Sequence, residues 1–517
     1  MKIQGQFVDL EKNQIYAAEI QFGEKITKIR KIKAAPKRFI LPGFIDGHIH
    51  TESSMLIPSE FAKLAVRHGT VAVVADPHEI ANVLGIKGIE FMIKNSKKVP
   101  LRFYFGASSC VPATSHESSG AKLGEKEIER LLRKNEITHL AEMMNYPGVI
   151  NKDPKVMKKI KLAKKYKKKI DGHAPGLTGR ELDAYLEAGI ETDHECYSLR
   201  EAKEKMKKGM KIIVREGSAA KNLSALYPVL KGGENFLCVD DLHPNDLVEG
   251  HLDRLLRKCI VLGIKPIDAV RSCTKNPAEH YGIGGGVLGI GKRADITVVS
   301  DLKKFKVLET WIDGKKVFSK TAKFTSVKEK PINKFNARKI SPKDLECKVP
   351  EYIIGAADGN LITEKIKAKD NEKDVLKIVV INRYRKTKPA IGFIKNFGLK
   401  KGAFGASVMH DSHNIGVIGA DDEAICKVAN QIIKLKGGLV VWDGRLHSLP
   451  LPFAGIMSSE NGEAVARKYK KLSRIVKKLG CKMEAPFMTL SFMGLLVIPH
   501  LKISDKGLFD VDRFCFA

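Results

Sequence analysis

His48 and His50 stand one residue apart in "LPGFIDGHIHTESSM", residues 41 to 55, at the end of an apolar run. In a strand, residues i and i+2 point to the same face, so two imidazoles can be aimed at one ion. Two histidines at a strand end also suit ordinary solvated or capping residues, and the pair by itself does not decide. Other donors fall at equivalent places. Glu142 ends "THLAEM", His173 ends "KKIDGH", His194 ends "IETDH", and Asp240 with Asp241 ends "FLCVDD". Histidines with one glutamate and one aspartate form a donor set for one or two divalent ions that leaves a position open for water. The two oxygens of Glu142 suit it to bridge such a pair.

Something must bring these strand ends together. Between residues 41 and 287 the runs "GFIDGHIH", "TVAVVAD", "LRFYFGA", "THLAEM", "KKIDGH", "IETDHE", "KIIVRE" and "FLCVDD" alternate with helical patterns. Most spacings leave room for a crossover helix, and a span of about 250 residues suits an α/β fold of the (β/α)8 TIM-like barrel type, whose strand ends meet at one face. An open doubly wound sheet is the weaker expectation, because no GxGxxG follows the first strand. Short alternating runs at 1–40 and again at 291–318 predict a small β-sandwich built from segments that flank the barrel, 1–40 with 288–335. The rhythm changes after residue 340, and 340–517 reads as a separate C-terminal α/β domain.

Composition narrows the function classes. The chain has 517 residues, 90 Lys+Arg against 59 Asp+Glu and a net charge of +31, which raises a nucleic-acid partner. The charge is spread along the chain, however. Its densest stretch, "KVMKKIKLAKKYKKKI", reads as an amphipathic helix with a solvated basic face, so nucleic acid is not expected as a partner. The nine cysteines include no CxxC pair, which fits reduced thiols in a cytoplasm and lacks the P-C-x-x-C element of zinc base-editing deaminases. The N-terminus has no apolar h-region and no uncharged apolar stretch reaches about 18 residues, so neither secretion nor a membrane span is expected.

Further polar residues have two readings. His78 and Glu79 in "DPHEIANV" either line a site or begin a helix, and His116 and Glu117 in "SHESSG" suit a site or an exposed loop. His410, Asp411 and His413 in "HDSHN" suit a further ion, the barrel mouth, or a polar strand-to-loop turn. His68, His139, His251, His280, His447 and His500 are read as structural or surface residues.

The segments "PGFIDGHIHTESSM", "TVAVVADPHEIANVLG", "AEMMNYPGVI", "DGHAPGLTG", "TDHECYS" and "VDDLHPNDLVEGHLD" resemble the adenine deaminases of the metal-dependent amidohydrolase superfamily. So do "SVMHDSHNIGVIGADD", "GGLVVWDG" and "LPFAGIMSS", and the resemblance covers nearly the whole chain. It implies a hydrolase that converts adenine to hypoxanthine and ammonia with two divalent ions per subunit, manganese favoured over iron or zinc. Carried over by motif, His48, His50, Glu142, His173 and His194 are metal ligands, and Asp240 or Asp241 is the last ligand and proton shuttle. Glu142 stands where many relatives carry a carboxylated lysine.

The implied chemistry is sound. A divalent cation brings hydroxide formation near neutral pH for attack on C6, and an aspartate can pass protons toward the leaving amine. The ring nitrogen N1 must also gain a proton, from Glu79, His78, Glu117 or His194. His116, Glu117 and His194 are candidates to hold the base. The expected assembly is a homodimer. The alternatives are a two-metal hydrolase of a cyclic amide, which would be expected to place a lysine at 142, an enzyme for another aminopurine, and, further off, a basic nucleic-acid-binding protein.

Overall fold

The computed structural model describes residues 1–319, 327–348, 350–369 and 373–517. The chain begins with β1 (Lys2–Asp9), β2 (Gln14–Phe22), β3 (Ile26–Lys31) and β4 (Phe39–Pro42). In β1, Ile3, Gly5 and Phe7 are buried while Lys2 and Gln4 are exposed, the alternation that a one-sided sheet demands.

Gly43 alone separates β4 from β5 (Phe44–Ile49). Strands β5, β6 (Thr70–Ala75), β7 (Arg102–Ala107), β8 (Ile137–Met143) and β9 (Lys169–Gly172) form a five-stranded parallel sheet in that order. A second parallel sheet holds β10 (Thr192–Asp193), β11 (Lys211–Arg215) and β12 (Phe236–Cys238). The backbone joins the two sheets at both seams: Glu191 N–H donates to the Ile170 carbonyl at 3.2 Å, and Asp240 N–H donates to the His48 carbonyl at 3.1 Å. The eight strands therefore curl into a TIM-like barrel. β5 and β6 are buried at every position, because helices cover the outside of a parallel sheet. Gly47 is required at the second seam, where a Cβ would lie 2.4 Å from the Phe236 ring.

After the barrel, β13 (Ile296–Val299), β14 (Val307–Ile312) and β15 (Lys315–Phe318) return to the opening strands. The result is one seven-stranded sheet, β15-β14-β13-β4-β1-β2-β3, with β13 antiparallel to β4. Ile3, Phe7, Ile20, Ile40, Val298 and Trp311 share its core. Of the flanking span expected to run to residue 335, residues 320–326 lie outside the described residues.

The C-terminal region carries β16 (Tyr352–Gly355), β17 (Glu364–Lys367), β18 (Val375–Ile381), β19 (Ala390–Lys395), β20 (Ala403–Ala406), β21 (Ile415–Gly419), β22 (Gly438–Trp442) and β23 (Leu446–Pro450). They form a mixed sheet ordered β17-β16-β19-β18-β21-β20-β22-β23. Alternate residues of β18 divide its two faces. Val379 and Ile381 pack with Ile425, Val428 and Ile432 of the helix Asp422–Leu435, whereas Leu376, Ile378 and Val380 belong to the core that is continuous with the barrel. The C-terminal domain is thus packed onto the barrel through one sheet face. Among the described residues, no helix is long and apolar enough to cross a membrane.

Candidate active site

His48 lies in β5 and His50 just beyond it, on the same face. The Nδ1 of His50 donates to the Asp76 carbonyl at 3.0 Å, which fixes the ring with its Nε2 toward the cluster. That Nε2 lies 3.1 Å from Glu142 Oε1 and 3.1 Å from Asp240 Oδ1. His48 Nε2 is 3.4 Å from the same Asp240 oxygen and 3.2 Å from His50 Nε2. The other oxygen of Glu142 faces His173 Nδ1 at 2.7 Å and His194 Nε2 at 3.3 Å. All six side chains are buried.

Glu142 therefore offers one oxygen to the His48–His50 pair and the other to the His173–His194 pair. Two imidazole nitrogens facing each other at 3.2 Å beside two carboxylates fit a bound cation, since proton donors alone leave some of these lone pairs opposed. His48 Nδ1, His173 Nε2 and His194 Nδ1 have no hydrogen-bond partner among the described residues, and the His48 and His194 rings stack with centroids 4.2 Å apart.

Charge is balanced by a buried arginine. Arg215, the last residue of β11, donates to Asp240 Oδ2 at 2.7 Å and clamps Glu195 with two nitrogens. Burial alone would raise the Asp240 carboxyl, but the Arg215 charge and the hydrogen bonds from His48 and His50 hold it well below the usual carboxylate range. Glu142 is likewise held down, burial being outweighed by His173, His194 and His50. Asp241 differs: burial and the neighbouring Asp240 charge raise its carboxyl, and it accepts a hydrogen bond from the Ser53 hydroxyl. Asp240 itself adopts a left-handed φ of 58°, uncommon for a residue with a Cβ.

A second group of polar side chains adjoins the first. The helix His78–Leu84 begins directly after β6, with Glu79 in its first turn. His78 Nδ1 lies 3.0 Å from Asp76 and 3.3 Å from Glu142 Oε1. Asp76, Glu79 and Asp411 outweigh burial and raise the His78 imidazole well above its ordinary value. Glu79 faces two imidazoles of the C-terminal domain, His410 through Oε1 and His413 through Oε2. His50, His78, Glu79, Glu142, Asp240 and His410 line one cavity, whose apolar wall includes Met144, Leu361 and Phe492.

His116 and Glu117 do not line this cavity. His116 packs among Phe509, Phe514 and Phe516, and Glu117 is buried nearby, accepting from the Thr114 N–H at 3.2 Å. Burial and the Asp411 charge raise its carboxyl to about 8. The histidines read as structural or surface residues have local partners: His68 lies 3.3 Å from Asp253, His139 3.5 Å from Asp171, His251 3.0 Å from Asp46, His447 3.0 Å from Asp443 and His500 2.7 Å from Asp512. His280 packs against Phe236 and Tyr281. Sequence reading passed over Arg215, Glu195 and Asp76. Arg215 carried a usable signal, since it ends the strand run "KIIVRE" as the ligands end theirs.

Residues 39–317 match the profile of the Amidohydrolase family, and residues 358–515 match that of the Adenine deaminase C-terminal domain. Among curated relatives, the adenine deaminase of Sulfurovum sp. (strain NBC37-1) is 51% identical, with 100% of this chain and 99% of that protein covered. Those of Methanosarcina mazei and Borreliella burgdorferi are 47% and 45% identical at the same coverage of both chains.

Proposed function

The chain belongs to the adenine deaminases of the amidohydrolase family, and from that membership we infer that it hydrolyses adenine to hypoxanthine and ammonia. The observation that carries the site assignment is Glu142, one buried carboxylate facing two histidine pairs. We assign His48, His50, Glu142 and Asp240 to one divalent ion and Glu142, His173 and His194 to a second, with manganese favoured over iron or zinc. Such cations supply Lewis acidity that brings hydroxide formation near neutral pH.

The chain's own residues do the rest. Arg215 keeps Asp240 anionic and fixed against the histidine pair. Asp241, its carboxyl raised and oriented by Ser53, is suited to take a proton and return it to the leaving amine. His78 lines the cavity, and the carboxylates of Asp76, Glu79 and Asp411 favour its protonated form, which suits it to donate at ring N1. Glu79, held well below the usual carboxylate range by His410, His413 and His78 against the effect of burial, suits a fixed anion better than an acid. Met144, Leu361 and Phe492 offer apolar surface to a flat purine.

The same reading divides the chain into a composite flanking β-sandwich (1–40 with 288–335), the barrel (41–287) and the C-terminal domain (340–517), and it includes a cytoplasmic homodimer. Protein loaded separately with Mn²⁺, Fe²⁺ or Zn²⁺ is expected to release ammonia from adenine in preference to adenosine or cytosine. No ammonia from adenine with any of the three metals would overturn the assignment.

A further inference from the structure

Glu79 of the barrel and His410, Asp411 and His413 of the C-terminal domain meet at a buried point. Each is at most 3% exposed. His410 Nδ1 faces Glu79 Oε1, and His413 Nε2 faces Glu79 Oε2. Asp411 Oδ1 is 3.9 Å from His410 Nδ1 and 3.8 Å from His78 Nε2. Neither oxygen of Glu79, neither ring nitrogen of His413, nor Asp411 Oδ2 has a hydrogen-bond partner of acceptable geometry, although all are sealed from solvent. Buried polar atoms are rarely left so, and here several on two domains point at one place.

No lysine or arginine among the described residues pairs with Glu79 or Asp411. Arg383, a buried guanidinium beside His413, spends its donors on the carbonyls of His413 and Ala454 and on Asn333. His413 also adopts a left-handed φ of 54°, a conformation that costs free energy for a residue with a Cβ and that persists where surrounding contacts demand it. Phe492 stacks on His410 with ring centroids 4.7 Å apart, fixing the imidazole plane.

We propose that Glu79, His410 and His413, with Asp411 as a fourth donor, form an additional divalent transition-metal site that pins the C-terminal domain over the barrel mouth. Two imidazoles and a carboxylate suit zinc or manganese, and Asp411, 3.9 Å from His410 Nδ1, is the nearby carboxylate offered as the fourth donor. The site is separate from the Glu142 cluster: His410 and His413 come from the other domain, and none of its four donors is among the ligands assigned above. It does not rest on the identity of the substrate.

The test is a metal count on the full chain, stripped with a chelator, reloaded with Zn²⁺ and desalted. The unaltered protein is expected to hold one more ion per chain than His413→Ala, and the double variant His48→Ala/His50→Ala is expected to keep that ion. Equal metal content in the unaltered protein and folded His413→Ala would overturn the proposal. Anomalous diffraction from Zn-loaded crystals of the unaltered chain decides the case if the variant does not fold. A peak about 2.0–2.2 Å from Glu79, His410 and His413 supports the site, and no peak there rejects it. Ammonia release from adenine is read in parallel, so loss of the deaminase reading with the ion present is distinguishable from loss of the ion with turnover intact.

Discussion

Asp240 has a guanidinium on one oxygen and imidazoles on the other, whereas Glu79, lining the same cavity, has imidazoles on both oxygens and no lysine or arginine beside it among the described residues. The first cluster comes wholly from barrel strand ends; the second needs two domains. Arg215 is a permanent cation, so part of the first cluster's negative charge is neutralised whatever else is bound. The second has only exchangeable cations, protons on histidine or a metal, to hold it. One cluster is therefore preformed by the fold, while the other couples domain packing to whatever neutralises Glu79.

Removing the permanent cation tests that distinction most severely. Arg215→Met leaves Asp240 and Glu195 as buried anions without their partner and is expected to cost about 3–5 kcal/mol of stability. Urea unfolding of metal-free and metal-loaded protein measures it. A loss below about 1 kcal/mol in both forms would show that Arg215 is dispensable and that the two clusters are balanced alike.

Glu142→Gln comes next. The amide cannot offer anionic oxygens to both histidine pairs, so bound metal and deamination are expected to fall together. The fall should exceed the 10–100-fold that typically follows loss of a residue supporting a ligand. Turnover and metal content left near normal would mean that the histidine pairs act without a shared carboxylate.

Ser53→Ala should be milder and different in kind. It removes the hydroxyl that orients Asp241 but bonds to none of the residues assigned above to an ion. Turnover is expected to fall about 10-fold, the worth of one hydrogen bond to a charged group at the lower end of its range. Metal content should be unchanged. Parallel loss of metal would make Asp241 part of the ligand set and erase its separation from Asp240.

These clusters were unequally legible. Each of the eight apolar runs read as a barrel strand contains one, because consecutive buried positions bounded by polar ends are a local signal. His48, Glu142, His173, His194 and Asp240 could be picked out for the same reason, since a barrel brings strand ends to one rim. Arg215 ends its strand in the same way but is the wrong sign for a metal ligand, so a search for donors passes over it. The meeting of Glu79 with His410 and His413 had no local signature at all. "HDSHN" is compatible with a polar turn, and only the packing of β18 and its neighbours against the barrel core brings it to a helix more than 300 residues earlier in the chain. Which face of the C-terminal sheet docks is a tertiary property, and no short window of sequence encodes it.

A last experiment probes the wall behind the second cluster. Lys502 is fully buried, and its ammonium donates to the Leu361 carbonyl at 2.7 Å and the Phe492 carbonyl at 3.2 Å, with no carboxylate paired to it among the described residues. Both carbonyls belong to residues that line the cavity, and the Phe492 ring is the one stacked on His410. Burial lowers this lysine from its ordinary 10.5 to about 7. Between those values the unfolded chain binds more protons than the folded one, so the contribution of Lys502 to stability rises with pH across that window and is diminished as pH falls toward 7. The stability of the unaltered protein relative to Lys502→Met is therefore expected to shift in its favour by about 1 kcal/mol per pH unit between pH 7.5 and 9.5. Urea midpoints at the two pH values measure the gap. If the gap does not change, Lys502 stays protonated in the folded state, and the wall behind His410 carries a permanent cation as the barrel cluster does.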